Sequence, residues 1–227
     1  MRTIAIFARW PHVGQAKTRL VPVLTPELAH RLHVAMLHDA LAAALGTTAG
    51  RRTLWWAGAP RDRDEFPLPG TIEVFDQAAG DLGDRLAHAF TTLARVPGGR
   101  VVTIGSDCPW LDATAIDRSF DAMERADVVV GPTDDGGFHL IGLTAAAVRS
   151  LPGLFHGISW STERTRAETL DRARAAGLSV ELLPGAEDVD TPADVVACVR
   201  RAMRDRAGAR HTRAALEAMG LLPGVAG

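Results

Sequence analysis

Short β-rich runs alternate with longer helical stretches along this chain, and that alternation limits the folds open to it. The runs Thr3–Ala8, Thr53–Ala57, Thr71–Phe75, Val101–Gly105, Asp127–Gly131, Phe138–Leu143 and Leu178–Leu183 are short, apolar and bounded by turn residues, as strands are. Helices are expected over Pro26–Leu45, Leu82–Arg95, Thr114–Arg125, Glu163–Ala176 and Pro192–Arg204. In the first, Leu28, Leu32, Leu37, Leu41 and Leu45 make one apolar face behind a Thr25 cap and Pro26. The last opens on Thr191 and Pro192, with Asp194 at the third helical position. The alternation implies an α/β single-domain three-layer sandwich, a mostly parallel sheet with helices on both faces. The domain is expected over residues 1–207. Residues 208–227 form a C-terminal helical tail, one short helix and a loose end, packed on the surface or at a subunit contact such as a homodimer's. Ala59–Gly70 reads as a polar, Pro-rich loop.

Composition removes several function classes. With 25 basic and 27 acidic residues the net charge is −2, which argues against a nucleic-acid partner. Local positive charge for a small anion is still available. Cys108 and Cys198 form no CxxC pair or Cys/His cluster, so a zinc site is not expected. The apolar run within MRTIAIFARWP is too short for a signal peptide or a membrane span, so no membrane partner and a cytoplasmic location are expected.

Sheets of this kind bind ligands at the carboxyl ends of their strands. After the first strand comes RWPHVGQAKTRL, holding Gly14, Lys17, Thr18 and Arg19. A Gly-containing turn there offers backbone N–H groups to an anion. Lys17 adds a point charge and Arg19 a bidentate fork, which together suit a di- or triphosphate. The spacing is neither a Walker A loop nor a dinucleotide fingerprint. The competing reading is a surface loop with two solvated cations.

FARWPHVGQAKTRL resembles the opening loop of the nucleotide-diphospho-sugar transferase superfamily, the glycosyltransferase-A-type fold. Within it the chain is similar to bacterial proteins described as glycosyltransferases of unassigned substrate. These in turn are similar to guanylyltransferases of molybdopterin and phospholactate metabolism. The resemblance runs from residue 4 to about residue 198 through several separate motifs.

GSDCPWL puts Asp107 at the carboxyl end of a strand. One or two carboxylates plus substrate phosphates are enough to hold Mg²⁺ (or Mn²⁺). The resemblance implies that Asp107 binds the ion bridging the nucleotide phosphates; otherwise it caps a turn. In DVDTPADV, Asp190 precedes the Thr191 cap and can face the cleft, with Asp188 the weaker candidate. The resemblance implies a second metal ligand in this late segment, which favours Asp190. Alternatively, Asp190 only complements the positive helix end.

DQAAGDLGDRL supplies Gln77, able to read a base edge, and Gly80 and Gly83, which permit close backbone approach. The resemblance places this region over base and ribose. Arg85 either faces the phosphates or lies on the helix surface. In GPTDDGGFHLIGL, Gly136 and Gly137 would admit an acceptor, and Asp134 or Asp135 could bind its hydroxyl or act as general base. His139 there reads as structural. In FHGISWSTERT, Phe155 and Trp160 could wall the site and Ser161 or Thr162 contact a phosphate or sugar; alternatively Trp160 and Thr162 staple and cap the next helix.

Three functions compete. The first is nucleotidylyl transfer from a nucleoside triphosphate to a small-molecule phosphorylated acceptor, with Asp107 and Asp190 on the metal and Lys17 and Arg19 on the leaving pyrophosphate. The second is glycosyl transfer from a nucleotide sugar, with Asp135 as base. The third is a non-catalytic nucleotide-binding regulatory domain, because fold alone does not specify function.

Overall fold

The computed structural model describes residues 1–60, 66–95 and 97–222. Residues 61–65 of the expected Pro-rich loop and 223–227 of the expected loose end lie outside the described residues.

In chain order the elements are β1 (Arg2–Arg9), α1 (Pro26–Gly46), β2 (Arg51–Ala57), β3 (Glu73–Asp76), α2 (Leu82–Leu93), β4 (Arg100–Ile104), α3 (Ala113–Ala122), β5 (Val128–Pro132), β6 (Phe138–Thr144), α4 (Leu151–Leu154), α5 (Thr165–Ala175), β7 (Val180–Leu182), α6 (Pro192–Arg204) and α7 (Arg210–Ala218). The strands form one seven-stranded sheet in the order β3-β2-β1-β4-β6-β5-β7. Among the described residues only β6 runs against the rest, pairing antiparallel with both β4 and β5. The mostly parallel sheet is thus as expected, with one reversed strand. β6 follows β5 through the tight Asp134–Gly137 turn, so the two form a hairpin, a connection that forces the reversal.

Strand alternation builds two cores. Ile4, Ile6, Leu54, Trp56, Val102 and Ile104 meet α1 and α3 on one face. Ala5, Trp55, Val101 and Ile141 meet α2, α4 and α5 on the other. Trp55 and Trp56 are both fully buried on opposite faces, as the period of two requires. Each fully buried side chain of this size contributes about 1.5–3 kcal/mol or more, so the sheet is a rigid platform for the loops at its end.

Helix starts follow the sequence signals closely. The Thr25 hydroxyl accepts from the Leu28 N–H, and Asp112 accepts from Ala115. Thr191 and Asp194 form a reciprocal capping box, as do Asp81 and Asp84. α5 begins two residues later than expected. The Thr162 hydroxyl is engaged with Ser159 and the Arg164 N–H, which holds residues 162–164 in a turn. β3 also begins two residues late, because the chain turns between Pro69 and Ile72 before pairing with β2.

A third apolar cluster joins Leu20, Leu32, Met36, Val189, Val195, Cys198 and Leu216. It ties the loop after β1 to α1, α6 and the tail helix α7. The buried Asp39 carboxylate on α1 accepts from the His211 and Thr212 N–H groups and caps the start of α7.

Candidate phosphate and metal site

The loop after β1 is anchored before its cations are placed. Trp10 is buried edge-on against Trp56, with centroids 4.9 Å apart, and Leu20 and Leu24 are buried at the far end. Two α1 histidines hold the strand exit: His30 Nε2 lies 2.9 Å from the Pro11 carbonyl and His33 Nε2 3.0 Å from that of Arg9. Gly14, at φ 75, supplies the reversal, and Lys17 itself adopts the left-handed conformation at φ 54 and ψ 38. A non-glycine residue there is strained by about 1–2 kcal/mol, so the surrounding structure must enforce it.

The consequence is that Lys17 points inward. Its Nζ donates to Asp190 Oδ1 and lies 3.5 Å from Asp107 Oδ2. The lysine side chain is 9% exposed, against 34% for Asp107 and 42% for Asp190. Burial pushes the ammonium pKa down, but Asp107 and Asp190 outweigh it and hold the group above its ordinary value. The two carboxylates singled out from the sequence therefore converge on one cation. The left-handed backbone directs Lys17 between the acids.

Backbone bonding sets that convergence. Asp107 leaves β4 at its carboxyl end, and its carbonyl accepts from the Val189 N–H at 3.0 Å. That bond brings Val189, with Asp188 and Asp190 flanking it in sequence, beside Asp107. The Asp190 N–H is held by Asp194 Oδ2 at 3.0 Å, within the capping box that starts α6.

Two hollows meet here. The first, about 390 Å³, is lined by Arg9, Lys17, Thr18, Arg19 and His33 among others, and its three basic side chains outnumber the two carboxylates, Asp107 and Asp190. The second, about 280 Å³, is lined by Asp134, Asp135, Glu187, Asp188 and Asp194 as well as Trp110. Arg19 and Asp190 line both. Asp188 is pushed up to about 6, by burial first and then by Asp107, Asp135 and Asp190. A carboxyl raised in this way by burial and by its acidic neighbours marks a place where added positive charge is favourable. All the donors are hard oxygens, as Mg²⁺ or Mn²⁺ requires. No cluster of three His, Cys, Asp or Glu in metal-binding arrangement is found among the described residues, so substrate oxygens would have to complete the coordination.

Other expected site residues serve the scaffold. The Gln77 amide nitrogen donates to the Trp55 carbonyl at 2.9 Å and the Ala8 carbonyl at 3.3 Å, so its donor is engaged by main chain rather than offered to a base. Gly80 lies against Asp84 in the α2 cap, and its carbonyl accepts from Arg85 Nε at 3.2 Å, which gives Arg85 the helix-surface role. Gly83 admits no ligand: a Cβ there would lie 2.7 Å from the Phe155 carbonyl oxygen and 2.9 Å from the Trp160 ring. Gly136, at φ 87, is packed against Glu163, whose Cα would be 2.5 Å from a Cβ. Gly137 faces Thr133 and Asp135 within its own turn. Beside these glycines the structure packs protein on protein.

Trp160 is half-buried against Phe138 and Phe155, and Ser161 is exposed at φ 61. The lining of the two hollows does not include Gln77, Gly80, Gly83, Gly136, Gly137, Trp160 or Ser161. Asp135 does line the acidic hollow; its Oδ1 accepts from the Thr133 hydroxyl at 2.6 Å and the Gly137 N–H at 2.9 Å. His139 is buried under Gly131 with Nδ1 3.2 Å from the Pro132 carbonyl, a structural role.

Several residues escaped sequence reading. Arg9 ends β1 and could have been found from its place at a strand's carboxyl end. His33 comes from the middle of a helix, and Trp110 reaches the cleft only through the fold. Arg166 also carried no local signal, yet its Nη1 donates to the Thr133 carbonyl at 2.7 Å and fixes the acidic turn.

The model of the family described as an uncharacterized protein conserved in bacteria (DUF2064) matches residues 40–162. A 2-phospho-L-lactate guanylyltransferase from Halorubrum lacusprofundi is 28% identical over 203 residues, covering 87% of this chain and 85% of the relative. A phosphoenolpyruvate guanylyltransferase from Streptomyces avermitilis is 29% identical over 207 residues, covering 88% and 90%. A crystal structure from Desulfovibrio desulfuricans G20, described as a candidate nucleotide-diphospho-sugar transferase, superposes with a TM-score of 0.85 at 27% identity, covering 97% of this chain and 95% of that one.

Proposed function

This chain belongs to the DUF2064 family of proteins conserved in bacteria, and on the geometry of its site we propose that it is a metal-dependent nucleotidyltransferase. The observation that carries the reading is the convergence of Lys17, Asp107 and Asp190 where a basic hollow meets an acidic one. The guanylyltransferase relatives, aligned over most of their length, support the same reaction class.

The basic hollow, with Arg9, Lys17, Thr18 and Arg19, suits the phosphates of a nucleoside triphosphate. A small phosphorylated acceptor would meet the nucleotide beside Arg19, where the two hollows join. Its phosphate oxygen attacks the α-phosphorus, forming a new P–O bond, while the α–β bridging bond breaks and its electron pair leaves with pyrophosphate. Arg19 lines both hollows and would hold charge on the reacting phosphates. Asp107 and Asp190 would hold a divalent ion, Mg²⁺ or Mn²⁺. When bound, such an ion neutralises phosphate charge. The chemistry needs positioning and electrostatics more than a covalent nucleophile. Both cysteines are buried free thiols, consistent with that.

Glycosyl transfer from a nucleotide sugar is the second reading, favoured by Asp135 on the acidic side and by the Desulfovibrio likeness. A thermal-shift panel with Mg²⁺ separates the two, because a ligand that binds the native state raises its melting temperature. Nucleoside triphosphates should stabilise more than nucleotide sugars. Preference for a UDP- or GDP-sugar would support the second reading, and no metal-dependent shift with any nucleotide would sink both.

A further inference from the structure

Lys17 occupies the position between Asp107 and Asp190 that a divalent ion would need. The contact is held from several directions. The residue is left-handed at φ 54, its carbonyl accepts from the Leu20 N–H at 2.9 Å, and Leu20 is fully buried. The side chain is only 9% exposed, so the ammonium is seated rather than trailing in solvent. Without a cation there, Asp107 and Asp190 would repel one another and Asp188 across the cleft.

We propose that Lys17 is a resident counter-ion that keeps the divalent metal out until nucleotide arrives, so that metal and nucleotide enter together. An ammonium and a divalent ion cannot share these oxygens, because like charges a few ångströms apart repel strongly. Lys17 also lines the basic hollow beside Arg9, Thr18 and Arg19. Its flexible four-carbon stem can carry Nζ from the carboxylates to an incoming phosphate without moving the backbone. In the exchange the phosphate draws off one ammonium charge, and the two carboxylates it leaves become ligands for a doubly charged ion. Metal and nucleotide then raise each other's affinity by the same factor, as linkage requires. The proposal rests on the phosphate and metal reading above and adds an order to it.

The test is Mn²⁺ binding, read from the free-ion electron paramagnetic resonance signal, with no nucleotide present. Wild type is compared with Lys17→Met and with Lys17→Arg. Lys17→Gly is included because it relieves the left-handed strain and folds even if the buried methionine does not. Removing the charge, as Met or Gly, should tighten nucleotide-free Mn²⁺ binding by about tenfold or more, while Arg should keep the ion out. Measured against the same nucleotide and Mn²⁺ without protein, the gain in Mn²⁺ affinity on adding a non-hydrolysable nucleoside triphosphate should be larger in wild type than in Lys17→Gly. A lysine that only binds phosphate leaves nucleotide-free Mn²⁺ affinity unchanged on substitution. That outcome, with wild type still binding Mn²⁺ in the presence of nucleotide, would overturn this proposal and spare the functional reading. Mn²⁺ bound by no form, with or without nucleotide, would overturn both.

Discussion

Replacing Gly136 by alanine tests the turn that carries Asp135 into the cleft. Gly136 has φ 87, and a Cβ would lie 2.5 Å from Glu163 Cα and 2.6 Å from its carbonyl carbon. Those are main-chain atoms at the approach to α5 and cannot swing aside. The left-handed backbone costs an alanine about 1–2 kcal/mol. Overpacking against a fixed neighbour adds about 1–3 kcal/mol. The total is roughly 2–5 kcal/mol, and at about 2–4 °C per kcal/mol for a chain of this length it should lower Tm by roughly 10 °C. Gly177→Ala is the internal control, because that glycine has φ 74 and a Cβ added there would meet nothing within 4 Å. Urea denaturation of the two variants isolates the clash from the backbone term. The reasoning is refuted if Gly136→Ala is no less stable than Gly177→Ala.

Asp107→Asn should cut turnover by about a thousandfold while the protein still unfolds cooperatively, since it removes a metal ligand and no core packing; near-wild-type kcat would remove Asp107 from the site. Arg19→Ala should weaken triphosphate binding by roughly ten- to hundredfold, the worth of one charge-assisted contact, and make it less sensitive to salt in a calorimetric titration; unchanged affinity would detach Arg19 from the phosphates. His33 and His139 are both held below the ordinary histidine range, chiefly by burial. Their unfolded forms therefore bind more protons than the folded ones near neutrality, so stability should rise with pH and fall as pH drops through about 6.5. Urea midpoints between pH 7.5 and 5.5 would show it, and a His139→Gln variant with an equally steep profile would exclude His139 as a cause.

Much of the fold could be read from local signals because those signals act locally. Thr25, Asp112 and Thr191 each cap the helix that follows them, through bonds spanning three residues. Asp107 was visible at its strand end, and Asp190 was visible beside a helix cap. What escaped was set by contacts distant in sequence. Lys17 meets Asp107 across 90 residues and Asp190 across 173, and nothing in AKTRL shows that its lysine turns inward. Gly83, Gly136 and Gly137 looked like openings for a ligand, but Phe155, Glu163 and Asp135 fill the space beside them. Gln77 reads as a base-recognition residue until the Ala8 and Trp55 carbonyls are brought to it by strand pairing.

The central claim is that nucleotide phosphates and a divalent ion meet where the basic and acidic hollows join. A crystal grown with Mn²⁺ and a non-hydrolysable nucleoside triphosphate tests it directly, through the anomalous signal of the metal. The account predicts one manganese peak between Asp107 and Asp190, phosphate density against Arg19, and Lys17 withdrawn toward those phosphates. Nucleotide bound elsewhere, or manganese absent from both aspartates in a nucleotide-loaded crystal, would contradict it.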